Sequence, residues 1–292
     1  MGQQIINGLF LGSIYALFAL GYTLVFGVLD ILNLAHAAVF MLASFVALTL
    51  VGSAHLPIIM ALPLAVMAAG MLGVVLERVA FRPLRGRADS NVSGLISSLA
   101  MATIFQAVAL QIWGPNVARF PLGTVPDRPI SFLGGVISSL QITIIAIALV
   151  LFLSLTWLVK RTRLGREMRA VAESPRAARI LGVNVDRVIA ASFFISSALG
   201  GAAGILFGLA FNAIAFDMGR SVELKGLAVI ILGGMGSMVG AVIAGFALGL
   251  CEVFVVAHLG GSWRDAISFA ALFLILLLRP RGLLGPATMR EA

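Results

Sequence analysis

Apolar runs of roughly 20 residues recur along almost the whole chain, separated by short polar breaks, and that length matches a bilayer core about 30 Å thick. The pattern predicts spans at Ile5–Phe26, Ala35–Val51, Pro57–Leu76, Val92–Trp113, Leu140–Val159, Val188–Phe211, Met238–Ala257 and Ala266–Leu278. A shorter apolar piece, Leu227–Gly233, precedes the seventh. Each run should be a helix, because only intrahelical bonding satisfies the backbone in lipid without a closed barrel. The runs lack the alternating polar face of barrel strands. The expected fold is therefore all-α, with about eight transmembrane helices in a single domain spanning 1–292.

The polar breaks set the orientation. Arg78, Arg82, Arg85 and Arg87 follow the third span, and the stretch 160–187 after the fifth carries eight of the 20 Lys and Arg residues. Both loops should face the cytoplasm, as should Arg279, Arg281 and Arg290 at the end. Counting back places the N-terminus outside. Counting forward gives the wrong parity unless 221–257 crosses an even number of times. A broken or re-entrant helix at Leu227–Gly233, followed by Gly233-Gly234-Met235-Gly236-Ser237, would supply the missing partial crossing. The outer loop 114–135 holds four prolines and two basic residues, so it should be stiff; it suits either external docking or passive connection.

Composition agrees with a membrane protein: 61% of residues are hydrophobic and only 11% charged, against about 25% in soluble domains. The formal net charge of +8 sits in short loops rather than on a basic, aromatic-interleaved face, which argues against nucleic acid and for contact with membrane lipid. Lone Cys251 allows no internal disulfide, and His36, His55 and His258 fit no metal-ligand spacing. No Lys or Arg precedes Arg78, so a cleaved signal peptide is not expected.

Within 160–187, Ser174 suits a helix N-cap, Pro175 the first helical position and Gly182 a left-handed stop. The intervening two turns are too short to stand alone in water, so they should pack on this protein or dock on a partner. Gly200, Gly204 and Gly208 share one helix face, and Gly236/Gly240 and Gly245/Gly249 repeat the spacing, as in close helix packing. Polar residues at membrane depth are few: Asn33, His36, Gln106 and Glu252 are the candidates for a translocation path, with Gly233, Gly234 and Gly236. Glu252 should face protein or water, either lining a path or bonding a neighbouring helix. Asn33 suits a cap or a substrate contact. There is no G-x-x-x-x-G-K-[ST] loop and no H-E-x-x-H or G-x-S-x-G motif, so neither ATP hydrolysis by that route nor an intramembrane enzyme is expected. No row of intramembrane charges suggests an ion relay.

Three blocks resemble branched-chain amino acid ABC-importer permeases of the LivH type: Ile6–Leu42, Arg163–Val188 and Ala228–Glu252. The resemblance implies the ABC-importer permease fold and a transport subunit of the bacterial inner membrane rather than an enzyme. It also implies a second, LivM-type permease, two cytoplasmic ATPase subunits that bind the ATP, and a periplasmic binding protein for leucine, isoleucine or valine. No cofactor or metal of this chain's own is implied. It assigns coupling to the ATPase to Glu173, Ser174, Pro175, Ala177, Ala178, Leu181 and Gly182. Ala37 and Ala38 depart from the family pattern after Asn33-Leu34-Ala35-His36. Related permeases carry urea, short amides or other amino acids, and residue spacing does not discriminate among these cargoes. A channel or secondary transporter independent of ATP is the reading from another class.

Overall fold

A computed structural model describes residues 1–85, 90–121, 123–132, 135–279 and 282–285. Arg87, Arg281 and Arg290 lie outside the described residues. Helices α1 (Gly2–Leu29), α2 (His36–Gly52), α3 (Ile58–Leu76), α4 (Ser90–Trp113) and α5 (Ser139–Arg161) come first, then α6 (Arg163–Glu173) and α7 (Pro175–Ile180). The chain continues with α8 (Val185–Phe211), α9 (Met218–Gly233), α10 (Met238–Leu259) and α11 (Arg264–Leu278). After α3 the helix runs on through a π turn at Glu77–Phe81 and a 3-10 turn at Arg82–Leu84.

Among the described residues, six helices are long and apolar enough to cross a membrane: α1, α3 with its extension to Leu84, α4 from Val92, α5, α8 and α10. Helices α2, α9 and α11 are shorter. At 1.5 Å per residue they reach about 22–26 Å, less than a full bilayer core. Six helices thus meet the length for a full crossing, and the expected count of about eight crossings is not confirmed among the described residues. The piece expected at Leu227–Gly233 is the end of α9, a whole helix whose start hydropathy hides because Arg220, Glu223 and Lys225 interrupt it.

Glycine faces bring these helices together. Helix α1 lies antiparallel to α10, with Gly12 against Phe246 and Gly245 against Ala16. Helix α8 packs on α2 and α3, and a Cβ at Gly204 would strike the Phe40 carbonyl. Such contacts replace the hydrophobic drive that lipid removes. A Gly204→Ala variant must push α2 and α8 apart, at a cost of about 1–3 kcal/mol or more. It should yield little monodisperse protein by size-exclusion chromatography in detergent. Gly52→Ala, with open space around it, should elute like the parent.

The two ends of the bundle differ. The outer loop contains an antiparallel hairpin, β1 (Pro129–Phe132) with β2 (Gly135–Ser138), which an all-helical reading omits. Gln3 clamps it to the start of α1, donating to the Val136 carbonyl (3.0 Å) and accepting from Val136 N–H (2.8 Å). At the opposite end, where α1 finishes, the chain after α11 returns to α9: Leu283 and Leu284 donate to the carbonyls of Leu232 and Gly233 at 2.8 and 3.0 Å. The basic turns after α3 and the α6–α7 pair lie at this second end, because α5 and α8 run to and from it.

Candidate functional site

The 160–187 stretch folds into two helices rather than one. Thr162 caps α6 by accepting from Gly165 N–H, and α6 buries Gly165, Met168 and Val171 at three-residue spacing, while Arg163 and Arg166 are exposed and Arg169 donates to the Val159 carbonyl. That amphipathic period was the signal for α6. Ser174 ends α6 and caps α7, its Oγ accepting from Ala177 N–H at 3.2 Å, with Pro175 at the first helical position. Gly182 takes φ +83°, which lets its own N–H and that of Val183 reach the carbonyls of Arg179 and Ala178. Both predicted ends of the short helix are therefore where the cap chemistry puts them. Ala178 is buried and holds α7 to the protein, whereas Ala177, Arg176 and Arg179 are exposed. At the tip, Ile180 and Leu181 stand 86% and 80% exposed. Glu173 lies at the α6–α7 corner, also exposed.

Ion pairs join the start of α8, which follows this pair, to the turns after α3. Asp186, in the first turn of α8, accepts from Arg85 Nη1 at 2.9 Å and lies 3.5 Å from Arg82 Nη2. Arg85 also pairs with Glu77, which is buried in the π turn at the end of α3. The start of α8 is thus tied to the turns after α3 by side-chain ion pairs.

The predicted path residues do not form one set. Asn33 closes the turn into α2, its Oδ1 accepting from Ala35 N–H (3.2 Å) and its carbonyl from His36 N–H (3.1 Å). His36 is fully buried, its ring 4.8 Å from Phe18 and 5.4 Å from Tyr22, in space left by Gly21 and Gly200. Gln106 stays half-buried on α4, which packs mainly on α2. Gly233, Gly234 and Gly236 build the α9–α10 turn: Gly233 touches Gly240, and Gly234 and Gly236 have φ +100° and +84°.

Glu252 belongs to a different group. It is fully buried, accepts from Tyr15 Oη (2.9 Å) and Lys225 Nζ (3.0 Å), and forms an ion pair with Arg264, whose Nε lies 2.7 Å away. Lys225 also meets Asp265 Oδ1 at 3.3 Å. Four helices, α1, α9, α10 and α11, thus share one charge network half-way along α1. Glu252 thus makes a helix-to-helix bond, one of the two roles expected for it. Lys225, Arg264 and Asp265 were not among the residues the sequence singled out. Each sits at or inside the margin of an apolar run, and their partners are up to 210 positions away. Among the described residues no three His, Cys, Asp or Glu side chains converge in a metal-ligand set.

The comparisons with known proteins fit this architecture. Residues 4–276 match the family model for the branched-chain amino acid transport system permease component. The chain belongs to that family. The high-affinity branched-chain amino acid transport system permease BraD of Pseudomonas aeruginosa is 36% identical to this permease over 294 residues, 97% of this chain and 95% of the relative. Permease LivH of Escherichia coli K12 is 36% identical over 296 residues, with the same coverage. In three dimensions the permease resembles PsaBC from Streptococcus pneumoniae in complex with Fab, with TM-score 0.50 over 94% of this chain and 91% of that one. At 10% identity that likeness is one of fold. The permease is a multi-pass membrane protein.

Proposed function

We propose that this permease is one transmembrane half of an importer for leucine, isoleucine and valine, driven by separate cytoplasmic ATPases. The observation that carries the proposal is the tip of α7. Two large apolar side chains, Ile180 and Leu181, project at the basic end of the bundle from a helix capped at both ends. A six-residue helix does not hold itself in this position without a purpose in packing, and its apolar tip fits a cleft in a soluble subunit. The sequence contains no phosphate-binding loop, so the work must come from that subunit. The basic end is then cytoplasmic by the positive-inside bias, and the hairpin end with the N-terminus faces the periplasm.

Coupling proceeds through packed elements. Glu173, Ser174, Pro175, Ala177, Ala178, Leu181 and Gly182 form the docking element. When ATP closes the ATPase pair, α7 is carried inward. Asp186 and Arg85 pass the shift to α8 and α3, and the small-residue faces on α8 and α10 let the helices rock. A second, related permease completes the path, and a periplasmic binding protein delivers the cargo to the hairpin end. Relatives named for branched-chain amino acids support that cargo class. In cells carrying the whole importer, labelled leucine uptake should be competed by isoleucine and valine, while urea and acetamide leave it unchanged. Competition by urea or acetamide at comparable concentrations would reassign the cargo.

A further inference from the structure

The charge network half-way along α1 opens sideways into a groove between α9 and α11, lined by Ser221, Leu224, Lys225, Asp265 and Phe269. Its inner wall is the Lys225 ammonium, 9% exposed and held from behind by Glu252. Its outer wall is Asp265, 69% exposed and joined to Lys225 across 3.3 Å. Leu224 and Phe269 stand beside this pair with nearly half of each side chain uncovered. An exposed carboxylate at such depth is too costly against hydrocarbon, so the groove faces water or protein.

We propose that this groove holds the cargo as a zwitterion. The ammonium of an α-amino acid pairs with Asp265, its carboxylate with Lys225, and its aliphatic side chain lies on Leu224 and Phe269. A zwitterion carries its two charges a few ångströms apart, as this ion pair does, so it substitutes for one bridge with two. Lys225 keeps Glu252 throughout, and on release it closes again on Asp265. Neither step leaves a buried charge unpaired, the condition that makes a charged site in the membrane affordable. Two cations and two anions (Lys225, Arg264, Glu252, Asp265) leave the network neutral, so it favours no net charge in its ligand. Urea and simple amides have no fixed charges with which to part the pair. The inference rests on the amino-acid cargo proposed above and names where this chain meets it.

Ser221 borders the groove and serves as a local reporter. A Ser221→Cys variant in a Cys251→Ser background, assembled with its importer subunits in lipid nanodiscs but without binding protein or nucleotide, is treated with a charged methanethiosulfonate reagent. The thiol should react, and L-leucine should slow the reaction. Leucinamide, which lacks the carboxylate, and 4-methylpentanoate, which lacks the amine, should protect poorly. Adding Asp265→Asn should raise the leucine concentration needed by about tenfold or more, as expected for losing a charged hydrogen bond. Phe269→Ala should weaken protection by leucine more than by glycine. An unreactive thiol, no protection up to the solubility of leucine, equal protection by the two analogues, or protection unchanged by Asp265→Asn would each overturn the site. Competition by isoleucine and valine in whole-cell uptake can hold whichever result is found, so the two proposals fail separately.

Discussion

A Glu252→Leu variant is expected to be less stable than the parent by about 3–5 kcal/mol, because removing one member of a buried ion pair strands the other. Glu252 is the hub: Tyr15, Lys225 and Arg264 all converge on its carboxylate. Without it, Lys225 keeps only the largely exposed Asp265 as counter-ion, and the Tyr15 hydroxyl retains only the Lys225 ammonium, which is itself a donor. Arg264 is less affected, because water reaches its 43% exposed side chain. The loss should appear as a clear fall in the unfolding temperature of the purified permease in detergent, followed by tryptophan fluorescence. Replacing both partners, Glu252→Leu with Lys225→Met, should recover most of it, since well-packed apolar residues substitute for a buried pair at little cost. A single variant as stable as the parent, or a double variant worse than the single, would mean that the network does not hold α1, α9 and α10 together.

Placing aspartates at the α7 tip, Ile180→Asp with Leu181→Asp, should abolish transport without unfolding the permease. Both side chains are already exposed, so the fold loses little. Docked in an apolar cleft, each would contribute about 1.5–3 kcal/mol. Losing both weakens the junction by about 3–6 kcal/mol, a factor of at least about 100 in binding. The ATPase subunits should then fail to co-purify, and leucine uptake should fall to background while the permease elutes normally from a sizing column. Retention of the ATPases with normal uptake would remove α7 from the coupling path.

These expectations draw on features of unequal visibility in the sequence. Hydropathy alone locates the long helices to within a few residues, because lipid demands an uninterrupted apolar run and only a helix satisfies its backbone. The ends of α7 are equally local: Ser174-Pro175 and Gly182 carry their geometry in their own chemistry. Helix α9 is harder to see, since Arg220, Glu223 and Lys225 lower its hydropathy, and the burial of Lys225 is explained only by partners on α1, α10 and α11. Helix α6 hides among arginines because its buried face is three residues wide. The outer hairpin depends on a clamp from Gln3, 133 residues away in sequence. The Lys225–Glu252–Tyr15 contacts have no local period at all. Bonds between distant segments of a membrane bundle follow from packing, and packing is written in pairs rather than in runs.

Uptake through this chain is expected to be driven by ATP hydrolysed elsewhere. In proteoliposomes holding the permease, its partner permease and the ATPases, with binding protein and labelled leucine on the side of the hairpin end, uptake should require ATP on the α7 side. It should stop when that ATP is replaced by a non-hydrolysable analogue. Leucine flux at the same rate without ATP, or through the permease reconstituted alone, would contradict it.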